Sequence, residues 1–175
     1  EAADSAELAL GAAHAWPIER PSAAAALAEV HGLHGDLDRA IRTLAAIGGS
    51  TNAVIHLIAI AGRLDLPLKL EDFDRLASEM PCLVNLQPSG QYLMEDFCYA
   101  GGLPAVMKAI APHLDLSVRT ANGRTLGENL VDAQNHNPAV IKSLDAPFKD
   151  KAGIAVLRGN LAPRGAVIKP SAATP

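Results

Sequence analysis

The chain has 175 residues and a formal charge of -4, with 15 Lys plus Arg against 19 Asp plus Glu. That length suits one ordinary domain, or one domain with part of another, rather than two complete ones. Apolar residues at 49% and charged residues at 19% exclude wholesale disorder, and the acidic balance offers no broad basic face to nucleic acid.

Residues 1–35 form an Ala-rich segment interrupted at Trp16-Pro17 and ending in a Gly/His cluster, with only short, weakly amphipathic stripes. From Asp36, a helix cap, the pattern sharpens: Leu37, Ile41, Leu44 and Ala45 share one face of a helix reaching Ile47, where Gly48-Gly49 stops it. Ser50 or Thr51 caps a second helix whose residues Val54, Ile55, Leu57, Ile58, Ile60 and Ala61 leave almost no polar face, which predicts burial nearly all round. Its apolar run, 53–61, is broken by His56 and is far short of the roughly 20 residues a bilayer span needs. No membrane segment is expected.

An acidic-first helix is predicted over 70–80, closed by Pro81. Residues 82–86 read as a short buried strand, 91–99 as a helix, and 103–110 as another with Pro104 in its first turn. After Pro112 the texture changes. Residues 117–120 alternate, Asn122-Gly123 signals a turn, and 125–131 suits a short helix. The β-like pieces 140–141, 154–158 and 166–169 follow. The expected fold class is therefore α/β, the mostly helical end of an α/β domain (36–115) followed by the opening strands of a β-rich domain (116–175), with the boundary at 112–116.

Chemistry-bearing candidates are few. Gly48-Gly49-Ser50-Thr51-Asn52 places a tight turn at a helix N-terminus, where free N–H groups and two hydroxyls suit a carboxylate or phosphate; the same residues also suit a plain cap. His56 reads more simply as a core histidine than as a base. Glu95 and Asp96 are helix neighbours pointing about 100° apart, so they do not share one proton or metal. Cys82 and Cys98 lack metal-ligand spacing and read as structural thiols, consistent with a reducing cytoplasm. Lys169 suits either an anion or a solvated strand end.

Several stretches are more specific than their chemistry: AIGGSTNAVIHL at 46–57, LVNLQPSG at 83–90, LMED at 93–96 with AGGLPA at 100–105, TLGEN at 125–129, IAVLRGNLAP at 154–163 and GAVIKPS at 165–171. In this order they resemble the middle of the dihydroxy-acid and phosphogluconate dehydratase family, and RGNL at 158–161 looks nearest its sugar-acid branch, the arabinonate and xylonate dehydratases. The resemblance covers residues 38–173.

The resemblance implies an iron–sulfur, magnesium-dependent hydro-lyase that converts a 2,3-dihydroxy acid to a 2-keto acid, with a serine as base. It also implies an α/β domain followed by a β-barrel-like domain, with the site between them. The family's cluster cysteines and most of its magnesium ligands precede the matched region, and its remaining metal-binding glutamate and catalytic serine follow it. Cys82 and Cys98 match no cluster ligand. The chain is accordingly expected to be an internal fragment, inactive alone and holding no cluster, metal or catalytic residue. Its contribution is scaffold, with Ser50, Thr51 and Asn52 near a sugar-acid substrate. The intact protein is expected to be a cytoplasmic homo-oligomer. The competing expectation is a non-catalytic truncated paralogue that serves as an interaction module.

Overall fold

The structure, a computed structural model, describes residues 37–151 and 153–170. The Ala-rich segment 1–35, the Asp36 cap and Ser171 lie outside them. Helix α1 covers residues 37–47 and buries Leu37, Ile41, Leu44 and Ala45, the face expected from their spacing. It is followed by α2 (Thr51–Arg63), α3 (Leu70–Ser78), α4 (Met94–Tyr99), α5 (Gly102–Ala109), a 3₁₀ turn (Ala111–His113) and α6 (Leu126–Leu130). The antiparallel strands β1 (Ala155–Gly159) and β2 (Ala162–Ile168) complete a mixed α/β fold.

The main core joins Ala45 and Ala46 of α1, Leu83, Val84, Val106 and Ile110 to Val140 and Ile141. Its apolar packing therefore continues across residue 116. A second cluster unites Ile41 and Leu44 of α1, Val54 of α2, and Phe73 and Leu76 of α3 with Ile154, and Val167 of β2 packs against it. The β hairpin is thus seated on α3. An Arg158–Glu71 ion pair at 2.6 Å lies over this contact, but both side chains are exposed and its contribution to stability is small.

Three expectations need correction. Helix α2 is not buried all round: Val54 and Ala61 are enclosed, whereas Ile55 and Ile60 are 65% and 53% exposed, because the described elements pack against one side of the helix only. Residues 82–86 are buried at Cys82, Leu83 and Val84 but join no regular ladder. They are held by isolated bridges, Cys82 with Lys149, Val84 with Ile141 and Leu86 with Tyr92, since three different segments meet them. Finally, the helix expected from Gln91 starts at Met94. Gln91 and Tyr92 turn back onto Asn85, which accepts from the Gln91 N–H through Oδ1 (2.9 Å) and from the Tyr92 N–H through its carbonyl (3.1 Å). The Asp96 carboxylate then accepts from the Leu93 N–H at 2.8 Å and fixes the new start.

Helix α6 is short and depends on its ends. The Thr125 hydroxyl accepts from the Glu128 N–H (3.1 Å), and the Glu128 carboxylate accepts from the Thr125 N–H (2.7 Å) and hydroxyl (3.0 Å). At the other end, the Lys108 ammonium donates to the carbonyls of Val131 (2.7 Å) and Ala133 (2.9 Å).

Two outcomes are expected. Ile141→Ala, which empties a core position shared by both halves of the chain, should lower unfolding stability by about 2–5 kcal/mol in urea denaturation. The donated hydrogen bonds from the backbone and hydroxyl of Thr125 hold the Glu128 carboxyl below its ordinary 4.5. Its stabilisation is therefore complete above that value and lost as pH falls through the lowered folded value. The gap in urea midpoint between wild type and Glu128→Gln should accordingly close on acidification below pH 4.5.

Candidate functional site

The turn between α1 and α2 is built from its backbone outward. Helix α1 ends as the Gly48 and Gly49 N–H groups bond back to the carbonyls of Ala45 (3.1 Å) and Leu44 (3.0 Å). Gly48 takes the left-handed conformation, φ +60°, so a side chain there would be strained. Space is short as well: a Cβ on Gly48 would stand 2.9 Å from Cys82 Sγ, and one on Gly153 would stand 2.8 Å from Gly48 Cα. The turn is pressed between the buried segment at Cys82 and the chain leading into β1.

Ser50 then caps α2, its hydroxyl accepting from the Asn52 N–H at 3.2 Å. Ser50 and Asn52 are exposed and Thr51 is half-buried, so the three candidate side chains open toward solvent at the positive end of a helix thirteen residues long. A hydroxyl-bearing turn at a positive helix end suits a carboxylate.

Other candidates are placed differently from expectation. His56 is exposed, one turn further along α2, and lines an open cleft of about 630 Å³ between α1, α2 and α5 with Arg39, Thr43 and Arg119; it is not a core residue. A second cleft, about 400 Å³, lies between α3 and residues 149–155, lined by Asp74, Ser78, Lys149 and Lys151. Ser50, Thr51 and Asn52 line neither cleft.

Lys169 neither meets solvent as a free strand end nor stands open to an anion. It is half-buried, and its ammonium donates to the Gly48 carbonyl at 2.6 Å. Burial holds its pKa below the usual lysine value, the nearby Cys82 thiol opposes that shift, and Lys149 adds to it. Sequence reasoning did not single out Gly153, which reaches the turn from more than ninety positions away, or Lys149, which pairs with Cys82 beneath it; neither carries a local signal.

The described residues do not fit an iron–sulfur cluster or a magnesium ion. Among them, no three His, Cys, Asp or Glu side chains converge. Cys98 lies exposed on α4, whereas Cys82 is buried with its thiol against the Val84 carbonyl at 3.7 Å. Burial pushes the Cys82 thiol up, against the thiolate form a metal requires, and a backbone hydrogen bond at Val84 together with the charges of Lys149 and Lys169 offsets this only in part. No helix among the described residues is long and apolar enough to cross a membrane.

Comparison with known proteins places this geometry. Residues 34–129 match the dihydroxy-acid/6-phosphogluconate dehydratase N-terminal family, and residues 139–175 match the corresponding C-terminal family. L-Arabonate dehydratase of Azospirillum brasilense is 54% identical over 143 residues, 79% of this chain and 24% of the relative. L-Arabinonate dehydratase of Rhizobium leguminosarum bv. trifolii is 54% identical over 140 residues, with the same coverage. 6-Deoxy-6-sulfo-D-gluconate dehydratase of Pseudomonas putida is 45% identical over 163 residues, 91% of this chain and 27% of the relative. The chain thus spans about a quarter of the length of these relatives, and residues of both matched stretches pack in a single core. This chain belongs to the dihydroxy-acid/6-phosphogluconate dehydratase family.

Proposed function

We propose that the chain is the central part of a sugar-acid dehydratase, a hydro-lyase that takes a 2,3-dihydroxy acid to its 2-keto-3-deoxy acid. The observation that carries this reading is the match to both family units, with 54% identity to two relatives named for arabonate and arabinonate. Ser50, Thr51 and Asn52 approach the substrate's carboxylate or hydroxyls, because they stand exposed at the N-terminus of α2 on a turn of fixed geometry.

The iron–sulfur cluster and magnesium of the family are held outside these residues, since the described side chains fit neither. The hairpin of β1 and β2 opens the barrel-like second unit of the whole protein, which is cytoplasmic, homo-oligomeric and without nucleic-acid or membrane partners. The isolated 175-residue chain supplies scaffold and the substrate-facing turn, and is inactive alone.

The test is a graft. Residues 37–170 replace the equivalent stretch of the Azospirillum brasilense L-arabonate dehydratase, and dehydration of arabinonate is measured beside the isolated chain. The chimera should turn over, and the isolated chain should stay at background. Thr51→Ala in the chimera should raise KM roughly tenfold, the worth of one hydrogen bond to a charged group. A chimera that folds and assembles as its parent does, yet dehydrates nothing, would favour the interaction-module alternative and end this reading.

A further inference from the structure

The tie between Lys169 and Gly48 joins residues 121 positions apart, and it is the contact through which the end of β2 reaches the candidate loop. A lysine at a strand end has a flexible stem and normally keeps its ammonium in water. Here the head group is turned inward instead, at a cost in hydration that its lowered pKa reflects. Its acceptor is the carbonyl just past the end of α1, where the helix dipole is negative and carbonyls lack intrahelical partners.

The same residue is clamped from two other sides. Cys82 Sγ and the Gly153 backbone both close on Gly48, leaving no room for a side chain at either glycine. Gly48 is buried, Gly49 half-buried and Ser50 exposed, so the chain emerges from this three-sided grip directly into the loop.

We propose that Lys169 is a positioning residue for the substrate loop: its bond to the Gly48 carbonyl sets the direction in which Ser50, Thr51 and Asn52 leave the turn. It acts through the backbone and touches no substrate itself. The inference rests on the reading of that loop given above, and the experiment separates the two.

In the chimeric dehydratase, Lys169→Met should raise KM for arabinonate about tenfold while kcat changes by less than about twofold, because a misdirected loop loses ground-state contacts. Lys169→Arg, which can still donate to the carbonyl, should recover part of the loss. On the 175-residue chain itself, alkylation by iodoacetamide reads the clamp without any turnover. Cys82 is 1% exposed beneath Gly48 and Cys98 is exposed, so Cys98 serves as the internal reference. Lys169→Met should speed Cys82 labelling relative to Cys98 by about tenfold. Leu130→Ala, a lesion at a buried position of α6 outside the core cluster that holds Ala46 and Leu83, should not do so at a matched loss of stability.

If Thr51→Ala raises KM and Lys169→Met does not, the positioning role is overturned and the loop reading stands. If Ser50→Ala, Thr51→Ala and Asn52→Ala all leave KM unchanged, the loop reading itself is overturned. Equal Cys82 labelling in Lys169→Met and Leu130→Ala would reduce Lys169 to general stability and overturn the inference.

Discussion

The buried backbone from Cys82 to Asn85 has to find hydrogen-bond partners outside its own segment, and much of the structure is arranged around that requirement. A buried N–H or carbonyl left unpaired costs about 1–3 kcal/mol, so no compact arrangement tolerates several of them. Cys82 exchanges both bonds with Lys149, at 2.9 and 3.0 Å. The Leu83 N–H donates to the carbonyl of Ala46 in the last turn of α1 (2.7 Å), the Lys142 N–H donates to the Leu83 carbonyl (2.9 Å), and the Asn85 N–H donates to the Val140 carbonyl (2.9 Å). One stretch thereby satisfies an orphan carbonyl of α1 and anchors the chain from 140 to 149. The turn at Gly48 then has a fixed floor, since Cys82 lies directly beneath it.

Helical elements were legible in the sequence because their signals are local. Leu37, Ile41, Leu44 and Ala45 recur at helical spacing, the double glycine stops α1, and Ser50 caps α2 as its residue type suggests. The two strands were likewise foreshadowed by the β-like pieces 154–158 and 166–169, although their pairing as a hairpin was not, and β2 begins several residues earlier than expected, at Ala162. The misreadings share a cause. The periodicity of α2 reports how apolar the helix is and not which neighbours cover it, so Ile55 and Ile60 could not be distinguished from Val54 and Ala61. Residues 82–86 read as a strand because they are apolar and short, yet their pairing is set by three partners remote in sequence.

The candidate loop shows the same division between local and remote information. Its residue types, and the family they mark, are written in five consecutive positions. Its orientation depends on Lys169, Gly153 and Cys82, all thirty or more positions from it. A lysine following an apolar strand carries no local indication that it will turn inward. The family comparison identified the chain without this information, since profile similarity records which residues recur and not which atoms they hold in place.

Charge accounts for why a lysine suits this position. At Gly48-Gly49 the end of one helix and the start of another stand side by side, so a partial negative charge from α1 lies next to a partial positive charge from α2. An anion arriving at Ser50 would feel both, and the carbonyls of α1 would repel it. An ammonium bonded to the Gly48 carbonyl neutralises the first helix end at its source and leaves the N–H groups of the second unopposed. A neutral donor of the same length would satisfy the carbonyl but would not reverse the local field. The position thus favours a cation with a long stem, able to reach the carbonyl from the end of β2 without occupying the turn's solvent-facing side, where Ser50 and Asn52 are exposed.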